Sequence, residues 1–208
     1  MQLTPRFVTT ALERYAVWDL GNEALYELCR KHPGHRDDDA ILAKVWLIGR
    51  SYAASIERRR RKPSENGDEF YLDQVAPAIK RAGVDRWFAQ LSDLRRPDAA
   101  SVVPVHARLT ALFEQISGLE KRSLASKYLH FHFPRAVYIF DDRVNHGIRR
   151  VTPALRLRGL PFTACDETYA RFFVRCGQFH EEIEQLVGRR VSPRDVDKVL
   201  LAVADRRQ

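Results

Sequence analysis

Apolar residues recur every three or four positions along nearly the whole chain, the spacing of helices that each bury one face. Thr4 before Pro5 reads as a cap with proline at the first helical position, and Phe7, Ala11, Leu12 and Tyr15 carry the stripe onward. A second helix is expected over 22–31, closed by His32, Pro33 and Gly34. Asp37, Asp38 and Asp39 then supply an N-cap and a negative first turn to a helix reading AILAKVWLIGRSYAASIE, apolar nearly all round and so expected at the centre of its lobe.

Two further helices are expected over 70–82 and 85–94, and RRPDAASVVP then reads as a linker. A helix over 106–117 ends at Gly118, which takes a left-handed cap without a Cβ penalty. The next runs from Arg122 or Ser123 to His132 and stops at Pro134. Asp141 or Asp142 caps another, TPALRLRGLPFT is irregular, and Thr163, Asp166 and Glu167 open a long amphipathic helix closed by Gly188. Ser192 and Pro193 start the last. No strand alternation or repeat is evident, so the expected class is all-α. The linker divides it into two lobes, 1–97 and 98–208.

Composition narrows the class. At 208 residues, with 45% hydrophobic and 30% charged content, the chain is expected to form a globular core rather than remain disordered. No apolar run approaches the ~20 residues of a membrane span. MQLTPRFVTT lacks the layout of a signal peptide, so no membrane association and a cytoplasmic location are expected. Three cysteines without CxxC spacing give neither a disulfide framework nor a zinc site.

Charge adds a partner class. Thirty-five Lys and Arg against 27 Asp and Glu leave +8, which favours a polyanionic partner, nucleic acid or an anionic membrane, with solvated surface charge as the competing reading. Arg58, Arg59, Arg60 and Arg61 lead the basic loop 58–69, readable as a solvated loop or as a phosphate-contacting arm.

The densest chemistry lies in ISGLEKRSLASKYLHFHFPRAVYIFDDRVNHGIRR. Its order is helix, glycine-containing hairpin, helix, short apolar link, paired acids, helix. Backbone N–H groups of such a hairpin bind a nucleic-acid phosphate. A carboxylate after the link can stabilise an oxocarbenium-like sugar or activate a nucleophile, if the nucleotide is first extruded from the stack. Two adjacent acids at a helix start also serve simply as caps.

This stretch resembles the helix-hairpin-helix DNA glycosylases. SLASKYLHFHFP…IFDDR is especially similar to the bacterial 8-oxoguanine glycosylase-like branch, many of whose members sit among anti-phage genes. The resemblance implies a two-lobed helical fold and excision of a damaged or modified base, in repair or defence, with DNA and defence-system proteins as partners and no cofactor. It implies Asp141 as the catalytic carboxylate, with Asp142 beside it. Gly118 stands alone where the family hairpin carries two glycines. Ser123 stands where bifunctional members place a lysine, which resembles the monofunctional branch. Lys127, at i+4 on the same face, offers an amine from one turn further on, and Lys121 is a second candidate. Both lysines can equally be phosphate contacts or solvated charges.

Gly118, Lys121, Arg122, Arg143 and Arg149 are expected along the DNA backbone, with His146 and Arg150 near them. Trp46, Tyr52 and Trp87 are candidate stacking groups, with core packing the competing reading. Arg50, a cation in an apolar helix, needs a partner and is expected to face the interlobe cleft. His130 and His132 lie two apart on a helix and do not converge on one ion, so a core role is expected. The alternative function is a non-catalytic subunit that retains the fold and binds nucleic acid or a partner. A third, that the basic loop is an RNA- or protein-binding arm, predicts weaker affinity when residues 58–62 are neutralised.

Overall fold

The computed structural model describes residues 3–58, 67–152 and 165–206, and among them every element is helical. Helix α1 (Pro5–Tyr15) is capped by Thr4, whose hydroxyl accepts from Phe7 N at 3.2 Å. Helices α2 (Asp19–Lys31) and α3 (Asp38–Ser51) follow. A short α4 (Gly67–Glu69) runs through a π-helical turn, Phe70–Val75, into α5 (Ala76–Ala82), and Gly83 at φ 68° leads into α6 (Val84–Phe88). Then come α7 (Ala99–Ser117), α8 (Arg122–His132), α9 (Asp142–Val151), α10 (Glu167–Val187) and α11 (Pro193–Asp205).

Two boundaries differ from expectation for identifiable reasons. The expected linker is half helix: α7 starts at Ala99, because Asp98 accepts from Ser101 N at 2.8 Å and Pro104 is accommodated inside the helix. Helix α3 stops at Ser51 rather than continuing to residue 57. Ala53 takes φ 50°, Ala54 N bonds Gly49 O at 2.8 Å and Ala53 N bonds Arg50 O at 3.2 Å, a Schellman closure with alanine in the left-handed position. Glycine would have signalled that stop; alanine does not. Gly49 permits the turn, since a Cβ there would lie 3.0 Å from Ser55 Cα.

Helix α3 is also not buried all round: Ile41, Val45 and Ile48 are in the core, while Trp46 is 45% exposed. One continuous set of buried side chains runs from Val8 to Ala202. Helices α2 and α3 pack on α8, α5 and α8 pack on α7, and α9 packs on α11. Helix α1 packs on α10 and α11, so the two ends of the chain share a core across the expected division at residue 97. The irregular stretch expected at 153–164, Thr163 included, lies outside the described residues.

Helices α9 and α11 meet through Gly147, where a Cβ would stand 2.7 Å from Leu200 O. The absent side chain lets the helix carrying the paired acids lie directly on the last helix.

Candidate active site

The link between α8 and α9 explains the apolar run before the acids. Val137, Tyr138, Ile139 and Phe140 are all buried, each worth about 1.5–3 kcal/mol in transfer free energy. Their backbone polar groups then need partners inside the protein, and α8 supplies most of them. His130 Nδ1 donates to Val137 O at 2.8 Å, which leaves Nε2 to accept from the Tyr26 hydroxyl at 2.7 Å. Ser126 Oγ accepts from Phe140 N at 2.9 Å, and Tyr169 donates to Tyr138 O at 3.1 Å. Phe140 O accepts from Lys127 Nζ at 3.0 Å and from Ser123 Oγ at 3.2 Å.

These bonds bring Lys127 and Ser123 together: Nζ lies 2.5 Å from Oγ, with Lys127 only 1% exposed. The Tyr52 ring faces the ammonium at 5.8 Å and its hydroxyl donates to Asn22 Oδ1 at 2.7 Å. Burial lowers the Lys127 pKa, while the carboxylates of Asp141, Asp197 and Asp142 pull it back up.

Asp141 is the N-cap of α9, its Oδ1 accepting from Val144 N at 2.8 Å. Among the described residues Oδ2 accepts no hydrogen bond. Asp142 is exposed at the first position of the helix. Both acids, Ser123, Lys127, Tyr52, Arg58 and the hairpin residues from Leu119 to Arg122 line one cleft of about 680 Å³. The N-terminal ends of α8 and α9 both open on it. The N-cap of α8, Lys121, makes no side-chain cap hydrogen bond, and the residues of its first turn line the cleft.

The cations expected to meet phosphate are mostly committed elsewhere. Lys121 donates to Arg58 O at 2.6 Å and Ser55 O at 3.3 Å, tying the segment after α3 to the hairpin. Arg122 pairs with Asp166 and Glu120, and Arg143 with Asp205. Arg149 sits in a separate hollow with Arg171 and Arg175. Gly118, at φ 72°, caps α7 through its N–H to Glu114 O at 2.7 Å. Arg58 lines the cleft, while Arg59, Arg60 and Arg61 lie outside the described residues.

Of the expected base-pocket residues, only Tyr52 lines the cleft. Arg50 pairs with Glu57 at 2.6 Å and lies over the Trp46 ring at 5.7 Å, on the outer face of α3. The partner that Arg50 needed is therefore a carboxylate beside it. His132 stacks among His35, Phe88 and Tyr128, as expected of a core group, and no cluster among the described residues could hold a metal ion. Cys29 and Cys176 are buried and Cys165 half-buried, and none of the three forms a disulfide among the described residues.

Asp197 and Arg194 do not stand out in the sequence. They form a buried ion pair on α11, and burial pushes Asp197 up to about 6 against the pull of Arg194. Asn22 Nδ2, Arg194 Nε and Asp197 Oδ1 are buried without a hydrogen-bond partner among the described residues. The signal that could have marked the pair is an acid three residues after an arginine, set within the apolar face of Val196 and Leu200.

No family model matches the chain, and no curated protein or solved structure matches it either.

Proposed function

We propose that the chain is a base-excising enzyme of the DNA glycosylase type. The observation that carries the reading is the convergence of Asp141, Ser123 and Lys127 on one cleft at the N-terminal ends of two helices. An extruded nucleotide would place its sugar against the Asp141 carboxylate, which stabilises positive charge as the base departs. Its phosphate would meet the uncapped N–H groups of α8. Lys127, held by Phe140 O and desolvated, would either attack the anomeric carbon itself or orient water through Ser123. The damaged or modified base, and a place in repair or anti-phage defence, belong to the same proposal through the resemblance of residues 122–144.

A second reading has an observation of its own. Lys121, Arg122 and Arg143 are engaged within the molecule rather than held out for phosphate, which favours, within the non-catalytic alternative, a subunit that retains the fold and binds a partner over one that binds nucleic acid.

Excision assays separate the two. Purified protein is incubated with duplex and single-stranded DNAs carrying oxidised, mismatched or phage-type modified bases, with and without alkali, and with borohydride in parallel. Alkali-dependent breaks without an adduct indicate a monofunctional enzyme. An adduct that disappears in Lys127→Ala identifies the amine as nucleophile. DNA bound but never cut, with Asp141→Asn indistinguishable from wild type, removes the excision reading and leaves the binding subunit.

A further inference from the structure

Ser123 and Lys127 form a pair whose chemistry does not depend on DNA. Ser123 is the second residue of α8, half-buried in the cleft wall, and Lys127 stands one helical turn later. Lys127 Nζ donates to Ser123 Oγ at 2.5 Å, and Phe140 O accepts from both Nζ and the Ser123 hydroxyl, at 3.0 and 3.2 Å. The carbonyl fixes the amine and hydroxyl against each other, while the cleft leaves the hydroxyl reachable. A serine held against a buried amine is the arrangement of an activated hydroxyl nucleophile.

The surroundings supply the second requirement of acyl chemistry. Leu119, Glu120, Lys121, Arg122 and Leu124 line the same cleft, so the uncapped N-terminal turn of α8 opens beside the serine. N–H groups in that position stabilise an oxyanion as it forms. The groups facing Lys127 are Asp141 and Asp142 from α9, Asp197 from α11 with its partner Arg194, and the Tyr52 ring. Burial of the side chain lowers the Lys127 pKa from the ordinary lysine value, and the three carboxylates oppose that shift without cancelling it.

We propose that Ser123 is an acyl-accepting nucleophile with Lys127 as its base, giving the cleft an ester- or amide-cleaving activity distinct from base excision. With Lys127 deprotonated, the Ser123 hydroxyl turns its proton from Phe140 O to the amine, which takes it as Oγ bonds to the acyl carbon, and the carbonyl oxygen becomes an oxyanion. The tetrahedral species collapses, the bond to the alcohol or amine breaks, and the leaving group takes the proton from Lys127. Water, deprotonated by Lys127, then cleaves the acyl–Oγ bond, and Oγ recovers its proton.

A fluorophosphonate ester tests the pair directly, since Oγ attacks phosphorus, fluoride leaves and the adduct is located by peptide mass spectrometry. Wild-type protein is expected to carry the adduct on Ser123, and Ser123→Ala none there. The wild-type rate should climb with pH and level off below the ordinary lysine range. Lys127→Arg and Lys127→Met should label at least about tenfold more slowly; if the methionine variant does not fold, the arginine variant and the wild-type pH profile decide. No adduct on Ser123 anywhere between pH 6 and 10, or equal rates in Lys127→Arg, overturns the proposal. A protein that labels at Ser123 but excises no base retains this activity and loses the glycosylase reading, and excision without labelling does the reverse.

Discussion

The Tyr52 hydroxyl donates to Asn22 Oδ1 at 2.7 Å while the Tyr52 ring lies 5.8 Å from the Lys127 ammonium. One side chain thus joins the start of α2 to the cleft. Removing the hydroxyl leaves Asn22 Oδ1 buried without that donor, and Asn22 Nδ2 is already without a partner among the described residues. Tyr52→Phe is expected to lower stability by about 1–2 kcal/mol in urea unfolding. A change inside experimental error would mean that the bond is not formed in solution.

Asp141 caps α9 and, on the proposed reading, also serves as the catalytic carboxylate. As a cap it accepts from Val144 N, and Asp141→Ala should cost about 1 kcal/mol of stability. Asn caps as well as Asp, so Asp141→Asn should unfold at nearly the wild-type urea concentration yet lose excision. Excision at the wild-type rate in the asparagine variant would reduce the residue to its capping role.

Gly147 is where α9 can approach α11. With Leu200 O 2.7 Å from where a Cβ would sit, Gly147→Ala should destabilise by about 1–3 kcal/mol through forced separation of the helices. Because Asp141 leads α9 and Asp197 lies on α11, the same variant should raise the KM or lower the kcat of any activity in the cleft. Unchanged thermal unfolding would show that the two helices part freely.

Acid stability has a definite sign. Burial pushes His35, His106 and His130 each down to about 4. Between the ordinary histidine value and about 4, the unfolded chain therefore binds more protons than the folded one. Stability is full above pH 6.5 and falls as pH drops through this window, by up to about 1.4 kcal/mol per unit for each group. Asp197, pushed up to about 6 by burial, works the opposite way over part of the range, but one carboxyl opposes four imidazoles, since burial also holds His132 well below the ordinary value. Urea midpoints measured from pH 7 to pH 4 should decline; a flat or rising curve would contradict the buried neutral histidines.

If the proposed reading holds, nucleic-acid affinity should depend on the basic run 58–61 through salt. Neutralising Arg58, Arg59, Arg60 and Arg61 should flatten the slope of log K against log salt by about 0.9 for each duplex phosphate the loop no longer neutralises. Excision chemistry should survive at low salt. An unchanged slope would assign those arginines to solvent.

Much of the architecture is legible because it rests on local rules. Thr4, Asp98, Asp141, Asp166 and Ser192 cap helices by accepting from backbone three residues ahead, and Gly118 and Gly188 end them in the left-handed region. Side-chain type and position alone foretell most such features. Asp98 is hard to recognise because it sits in a stretch that composition marks as a linker. The end of α3 is hard to recognise because alanine occupies a place that glycine usually takes.

The sequence by itself determined the helices, most of their caps and the spacing that puts Ser123 and Lys127 on one face. Tertiary structure alone decided which polar groups share an environment. It turned Arg50 outward to Glu57, engaged Arg122 with Asp166, and buried Asp197 and Asn22 with polar atoms that lack a partner among the described residues. It also buried the link through Phe140, whose carbonyl had to find donors and drew Lys127 and Ser123 together. Periodicity records which face of a helix is apolar. Which distant residue completes a buried hydrogen bond depends on where the helices cross, and no local pattern carries that.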